Sequence, residues 1–247
     1  VKPPGRYLGA MSEARRILAV VFDAVGTLLY PRELVGETYA RLAAAHGVVI
    51  PASRLEEAFR RVVAAAPPNV HPGATPELAA ERERGWWRAR VRETFRAADQ
   101  MARFDDFEAF FARLWSHYAE AAAWRLGAGA RQCLDALAAR GLRLGVLSNF
   151  DQRLRGVLAG LGLAERFEVV TLPADAGAAK PERAIFDACR ARLGLAPGQV
   201  LYVGDHATLD VAAAREVGWL ALDAGTLPDL SALPAAIDRI EKGLPQA

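Results

Sequence analysis

The chain has 247 residues, 52% hydrophobic and 24% charged, the composition of a soluble globular protein long enough for one large domain or a domain with a second inserted in it. Basic and acidic residues number 31 and 29, a net charge of +2, so nothing points to a nucleic-acid or membrane-surface partner, and the balance suits a small-molecule enzyme as well as a protein without such a ligand. The apolar runs fall well short of a bilayer span, and the two cysteines, Cys133 and Cys189, lack metal-ligand spacing and are expected as buried free thiols in a reducing cytosol.

Residues 1–16, with Pro3-Pro4-Gly5 and no signal-peptide cleavage pattern, read as a weakly ordered extension, and the chain as cytoplasmic. Ile17 to Phe22 is an unbroken apolar run of strand length that ends in Asp23, with Gly26 three residues later, so a buried parallel strand is expected to deliver this acid to the sheet's carboxyl edge. After Leu29-Tyr30-Pro31 the pattern becomes helical. A helix over 33–46 ends at Gly47, a second is capped by Ser53 and stops at Pro67-Pro68, and 69–75 is a loop. Thr75-Pro76-Glu77 opens a third helix that places Trp87, Val91, Phe95 and Ala98 on one face, read as bundle core. A fourth helix covers 105–119, so 32–123 form a helical insert.

From Trp124 strand and helix alternate. Helices are expected over 130–140, 152–161, 182–193 and 231–242, and strands over 142–147, 167–172, 200–203 and 219–222. Such repeated units imply a parallel sheet with right-handed crossovers. The fold expected is therefore α/β, a Rossmann-like parallel sheet core built from 17–31 and 124–247 with the α-helical segment inserted between them.

Four of these segments lead into polar clusters: Asp23, Ser148-Asn149, the loop to Lys180, and Asp205 with Asp210. Strand ends of a parallel sheet share one edge, so residues far apart in sequence can share one site. Lysine occurs only at 2, 180 and 242, which leaves Lys180 as the one lysine in the body of the chain. Together the clusters supply a carboxylate nucleophile, a hydroxyl, a fixed cation and further carboxylates for a hard metal, the inventory that transfer of an anionic phosphoryl group requires. Pro181, read as a first helical residue, would put Lys180 at a helix N-terminus, where anions bind.

Phe22-Asp23-Ala24-Val25-Gly26-Thr27-Leu28, Leu147-Ser148-Asn149, Lys180-Pro181 and Val203-Gly204-Asp205 through Asp210 resemble, in order, the four motifs of the haloacid dehalogenase-like (HAD) hydrolase superfamily. The resemblance covers nearly everything after the N-terminal extension, and the helical insert is similar to the family's mobile cap. It implies that Asp23 is nucleophile and metal ligand and that Thr27 positions the first-motif loop. Ser148, Asn149 and Lys180 would bind the transferred group. Mg²⁺ would be held by Asp23, the Val25 carbonyl and Asp205, with Asp210 assisting. The substrate so implied is a small phosphorylated metabolite.

The departure is Val25, where the family's phosphatases usually carry a second aspartate that protonates the leaving oxygen and later activates water. Val25 keeps the main-chain carbonyl but transfers no proton, and loss of a general acid costs about 10²–10⁴ in rate, least for leaving groups that need no proton. His206, His46 and His71 are the candidate substitutes. Two alternatives to the phosphatase stand: a 2-haloacid dehalogenase-type hydrolase, in which Asp23 attacks carbon and halide leaves unprotonated, and a non-catalytic protein that keeps the fold for binding or regulation.

Overall fold

The computed structural model describes residues 16–99 and 103–244, so nearly all of the expected N-terminal extension lies outside the described residues. In chain order the elements are β1 (Ala19–Phe22), β2 (Leu29–Pro31), α1 (Val35–Ala44), α2 (Ala52–Ala64), α3 (Pro76–Ala98), α4 (Phe107–His117) and β3 (Trp124–Leu126). There follow α5 (Ala130–Ala139), β4 (Arg143–Leu147), α6 (Arg153–Gly160), β5 (Val169–Thr171), the single turn α7 (Pro173–Ala176), α8 (Arg183–Leu193) and β6 (Val200–Gly204). A π-helical turn over Ala207–Ala212 runs into α9 (Ala213–Glu216), and β7 (Leu220–Asp223) and α10 (Leu233–Glu241) complete the fold.

Strands β1, β4, β5, β6 and β7 form one five-stranded sheet in the order β5-β4-β1-β6-β7. Every pairing within it is parallel, so the fold is α/β as expected. β1 is central and wholly buried, and its side chains alternate between two apolar layers. Val20 and Phe22 pack with Leu134, Leu137 and Leu154 on one face, whereas Ala19 and Val21 pack with Ile185, Phe186 and Tyr202 on the other. That two-sided burial is why the strand reads as a continuous apolar run. The register sets Phe22 opposite both Val146 and Val203, so the chain leaves β1, β4 and β6 at the same level and the residues that follow meet at one edge.

Helices α1 to α4 bury a separate apolar cluster that includes Tyr39, Leu55, Val91, Phe95 and Phe110. Thr75 caps α3, its side chain accepting from the Leu78 N–H at 3.4 Å. Elsewhere the caps are shifted: Pro51, not Ser53, precedes α2, and Asp106 caps α4 by accepting from the Ala109 N–H at 3.0 Å. One element was not expected. The short antiparallel pair β2/β3 brackets the helical stretch, setting Leu29 opposite Leu126 where the chain leaves the sheet layer and returns. Three residues per strand are too few to give a legible alternation.

α8 begins at Arg183 with Glu182 as its N-cap, which corrects the reading of Pro181 as a first helical residue. Pro181 instead follows a cis peptide bond and ends the loop that carries Lys180. Both cysteines are free and buried, and burial pushes the Cys133 thiol up to about 12 and the Cys189 thiol up to about 11. No helix among the described residues is long and apolar enough to cross a membrane.

Candidate active site

The sheet edge gathers the acids that the sequence spreads over nearly two hundred positions. Asp23 leaves β1 with its N–H bonded to the Val203 carbonyl at 2.9 Å. Asp205 follows β6, and Asp210 lies on the π-helical turn beyond it. One carboxylate oxygen from each of the three falls within 4.8 Å of the other two. Asp23 and Asp210 are buried while Asp205 is exposed, so the cluster opens toward solvent on one side.

Lys180 closes the other side. Its Nζ donates to Asp23 Oδ1 at 2.6 Å and to Asp210 Oδ1 at 2.6 Å, with a third bond to Tyr202 Oη at 3.0 Å. The ammonium's three donors are thus all used. The Tyr202 hydroxyl in turn donates to the Leu147 carbonyl at 2.9 Å. Burial alone would pull Lys180 down, but Asp23 and then Asp210 raise it, so the cation persists although buried. Burial pushes the Asp23 carboxyl up against the pull of Lys180, and Asp210 and Asp205 add to the rise.

Two glycines admit these carboxylates. A Cβ on Gly26 would stand 2.4 Å from Asp205 Oδ2, and its φ of +97° is disfavoured for any side chain. A Cβ on Gly204 would stand 2.5 Å from the Asp210 carboxyl. Thr27 Oγ1 donates to Asp205 Oδ1 at 3.2 Å, and the His206 N–H donates to Asp210 Oδ2 at 3.0 Å. Tyr30 fixes the same loop by donating its hydroxyl to the Gly26 carbonyl. The donor set is all oxygen and anionic, and the cradle that the absent Cβ at Gly26 leaves is filled by Asp205, so the residues fit a hard divalent cation.

Ser148 lies at the same edge, 3% exposed, with its Oγ accepting from the Phe150 N–H at 3.4 Å. Asn149, which also lines the cavity, turns its side chain to the lysine loop. Its Oδ1 accepts from the Lys180 N–H at 2.7 Å and its Nδ2 donates to the Lys180 carbonyl at 2.9 Å, so the carboxamide is spent on holding the lysine loop. α6 begins at Arg153 with Gln152 as its N-cap, as the helix expected over 152–161 anticipates.

Val25 stands 37% exposed beside this cluster and lines the cavity above it. Of the candidate substitutes for its missing acid, only His206 lines that cavity, and its Nδ1 accepts from the Thr208 and Leu209 N–H groups, both at 3.3 Å. His46 packs against the Phe110 ring and His71 bonds the Asn69 side chain, neither of them at the cavity.

The cavity has a volume of 410 Å³ and runs from Asp23 and Lys180 up between the sheet edge and α1 to α4. Sequence reasoning missed this second half of the site. Trp87 and Val91, expected as bundle core, also line the cavity. Trp87 Nε1 donates to Asp151 Oδ2 at 2.7 Å, and Arg153 forms a bidentate pair with Asp151 while its guanidinium lies 3.6 Å over the Trp115 ring. The signal for Tyr202 was equally hidden, because a tyrosine inside Val-Leu-Tyr-Val reads as an ordinary strand residue.

The comparisons with known proteins agree with this geometry. A family model described as haloacid dehalogenase-like hydrolase matches residues 17–218. The chain is 32% identical to the haloacid dehalogenase-like hydrolase domain-containing protein 3 of Mus musculus, over 96% of this chain and 100% of that protein. Among solved structures it resembles a HAD phosphatase from Thermococcus onnurineus, with 24% identity, a TM-score of 0.54 and coverage of 84% of this chain and 86% of that one. It also resembles L-2-haloacid dehalogenase from Xanthobacter autotrophicus, with 22% identity, a TM-score of 0.61 and coverage of 92% and 86%. At such identities the two structures speak to the fold alone.

Proposed function

This chain belongs to the haloacid dehalogenase-like hydrolases, and we propose that within the family it is a Mg²⁺-dependent phosphatase that works through an aspartyl-phosphate on Asp23. The observation that carries the reading is the meeting of three carboxylates within 4.8 Å, two of them bonded to one buried lysine, at the mouth of a cavity. A phosphate dianion approaches a carboxylate only where its charge is offset, and Lys180 supplies a fixed cation there. Mg²⁺, held by Asp23, the Val25 carbonyl, Asp205 and Asp210, would supply further charge neutralisation when bound.

Lys180 engages Asp23 Oδ1, which leaves Oδ2 as the attacking oxygen. Ser148 holds a phosphoryl oxygen, and Asn149 and Tyr202 act as positioning residues through the Lys180 backbone and ammonium. Thr27 and Tyr30 keep the first-motif loop in place. The helical segment 32–123 is the cap, and its contacts with Asp151 and Arg153 set how it closes on the core. Release of phosphate from aryl phosphates, measured with and without Mg²⁺, tests the reading. Equal turnover by an Asp23→Asn variant would remove Asp23 as nucleophile.

Val25 and the apolar cavity favour a second reading, the 2-haloacid dehalogenase type, in which the departing halide needs no proton. The three-carboxylate cluster weighs against it, because attack on carbon has no need of a hard cation. Halide release from 2-haloacids in the presence of EDTA would decide for this second reading.

A further inference from the structure

The two ends of the cavity differ in chemistry. At the sheet edge the lining is ionic, with Asp23, Lys180, Asp205 and Asp210. Toward the helices it becomes aromatic and aliphatic: Tyr39 from α1, Phe59 from α2, Trp87 and Val91 from α3, and Phe111 and Trp115 from α4. Among the described residues the only charged side chain at that end, Arg153, is already paired with Asp151, and its side chain is 12% exposed. A polyhydroxylated body such as a sugar would lose its hydration there against few free hydrogen-bonding groups. A flat apolar body would bury its faces on rings.

A second observation limits the same substrate from the chemical side. Val25 points no acid at the leaving oxygen, and it is open to the cavity. A phenol ionises near pH 10, as tyrosine does, whereas water ionises only near about 15.7, so an aryloxide departs unprotonated far more readily than an alkoxide. The cavity wants an aromatic body, and the missing acid wants an oxygen that leaves as an anion. Resting on the phosphatase reading, we infer that the substrate is a phosphomonoester of an aromatic hydroxyl, its phosphate at the sheet edge and its ring between α1, α3 and α4.

The chemistry balances without an added acid. Asp23 Oδ2 attacks phosphorus and the phosphorus–oxygen bond to the ring breaks. The electron pair leaves on the aryloxide, which takes a proton from solvent. Water then attacks the same phosphorus, the bond to Asp23 breaks to restore the carboxylate, and the water's proton goes to solvent with inorganic phosphate as the product.

The experiment has two arms. In the first, kcat/KM is measured with Mg²⁺ for 1-naphthyl phosphate, phenyl phosphate and glucose 6-phosphate, together with a series of substituted phenyl phosphates. The inference predicts kcat/KM at least about tenfold higher for the naphthyl ester than for the sugar ester and a steep fall in kcat/KM as the phenol becomes less acidic. In the second arm, calorimetric titration of the Asp23→Asn variant is expected to show phenyl phosphate binding more tightly than glucose 6-phosphate, and a Trp115→Asp change on that background should abolish the difference. A kcat/KM for glucose 6-phosphate as high as for the aryl esters, or a kcat/KM that is flat in phenol acidity, overturns the substrate class and leaves the phosphatase standing. Absence of phosphate release from every ester overturns both.

Discussion

A nucleophilic carboxylate gains from poor solvation beside a fixed cation, and Asp23 has both: burial pushes its carboxyl up and Lys180, bonded to Oδ1, pulls against that rise. Two residues on, Val25 takes away the group that would move protons. Val25→Asp is therefore expected to raise kcat/KM for alkyl phosphates by about 10²–10⁴ and that for aryl phosphates by less, a contrast that steady-state assays of both ester types would read. Gly26 has a different task. Gly26→Ala forces a Cβ onto Asp205 at a φ of +97° and should cost about 1–3 kcal/mol in folding or weaken Mg²⁺ binding as Asp205 shifts, measurable by urea denaturation and calorimetry. Asp23, Lys180, Asp205 and Asp210 were legible because each follows an apolar strand or its loop. Asn149 was legible as a polar residue but not in its task, because a carboxamide's partners are fixed by a loop 31 residues away.

At the scale of elements, one short loop carries several of the side-chain bonds between the helical segment and the sheet edge. Trp87 and Glu83 of α3 bond Asp151 and the Gln152 N–H, and the Trp115 carbonyl of α4 accepts from Arg153. Asp151→Ala would leave the Arg153 guanidinium unpaired in a mostly buried place, and loss of one partner of such a pair costs about 3–5 kcal/mol, to be seen as a lower urea midpoint. Glu83 carries a pH signature. Burial pushes its carboxyl up despite the Gln152 N–H, so protonation favours the folded state, and the stability Glu83 contributes is present below its ordinary pKa and lost as pH rises through the raised value. Glu83→Gln should therefore gain stability relative to the unaltered chain between acid and neutral pH, which paired thermal melts would show. Periodicity revealed the helices but not this junction, since Trp87 shares a helical stripe with core residues and its bond to Asp151 joins positions 64 residues apart.

Over the whole molecule, the strand order β5-β4-β1-β6-β7 puts the nucleophile's strand at the centre, with the strands that lead to Ser148 and Asp205 on either side. That much of the fold was legible, because buried parallel strands and their crossover helices write long apolar runs into the sequence. The cavity was not, because its upper walls come from four helices whose packing is decided by contacts between distant positions. Without an acid–base group at Val25, an aryl ester is attacked readily but the resulting aspartyl-phosphate meets unactivated water, so the second step falls behind the first. Mixing the Mg²⁺-loaded protein with excess aryl phosphate and quenching on the millisecond scale measures this directly. The expected result is a burst of about one equivalent of phenol per chain before slow steady release, with phosphate recovered on Asp23 and the burst absent in Asp23→Asn. An undiminished burst in that variant, or phosphate release with no phosphate ever carried on Asp23, would contradict the account.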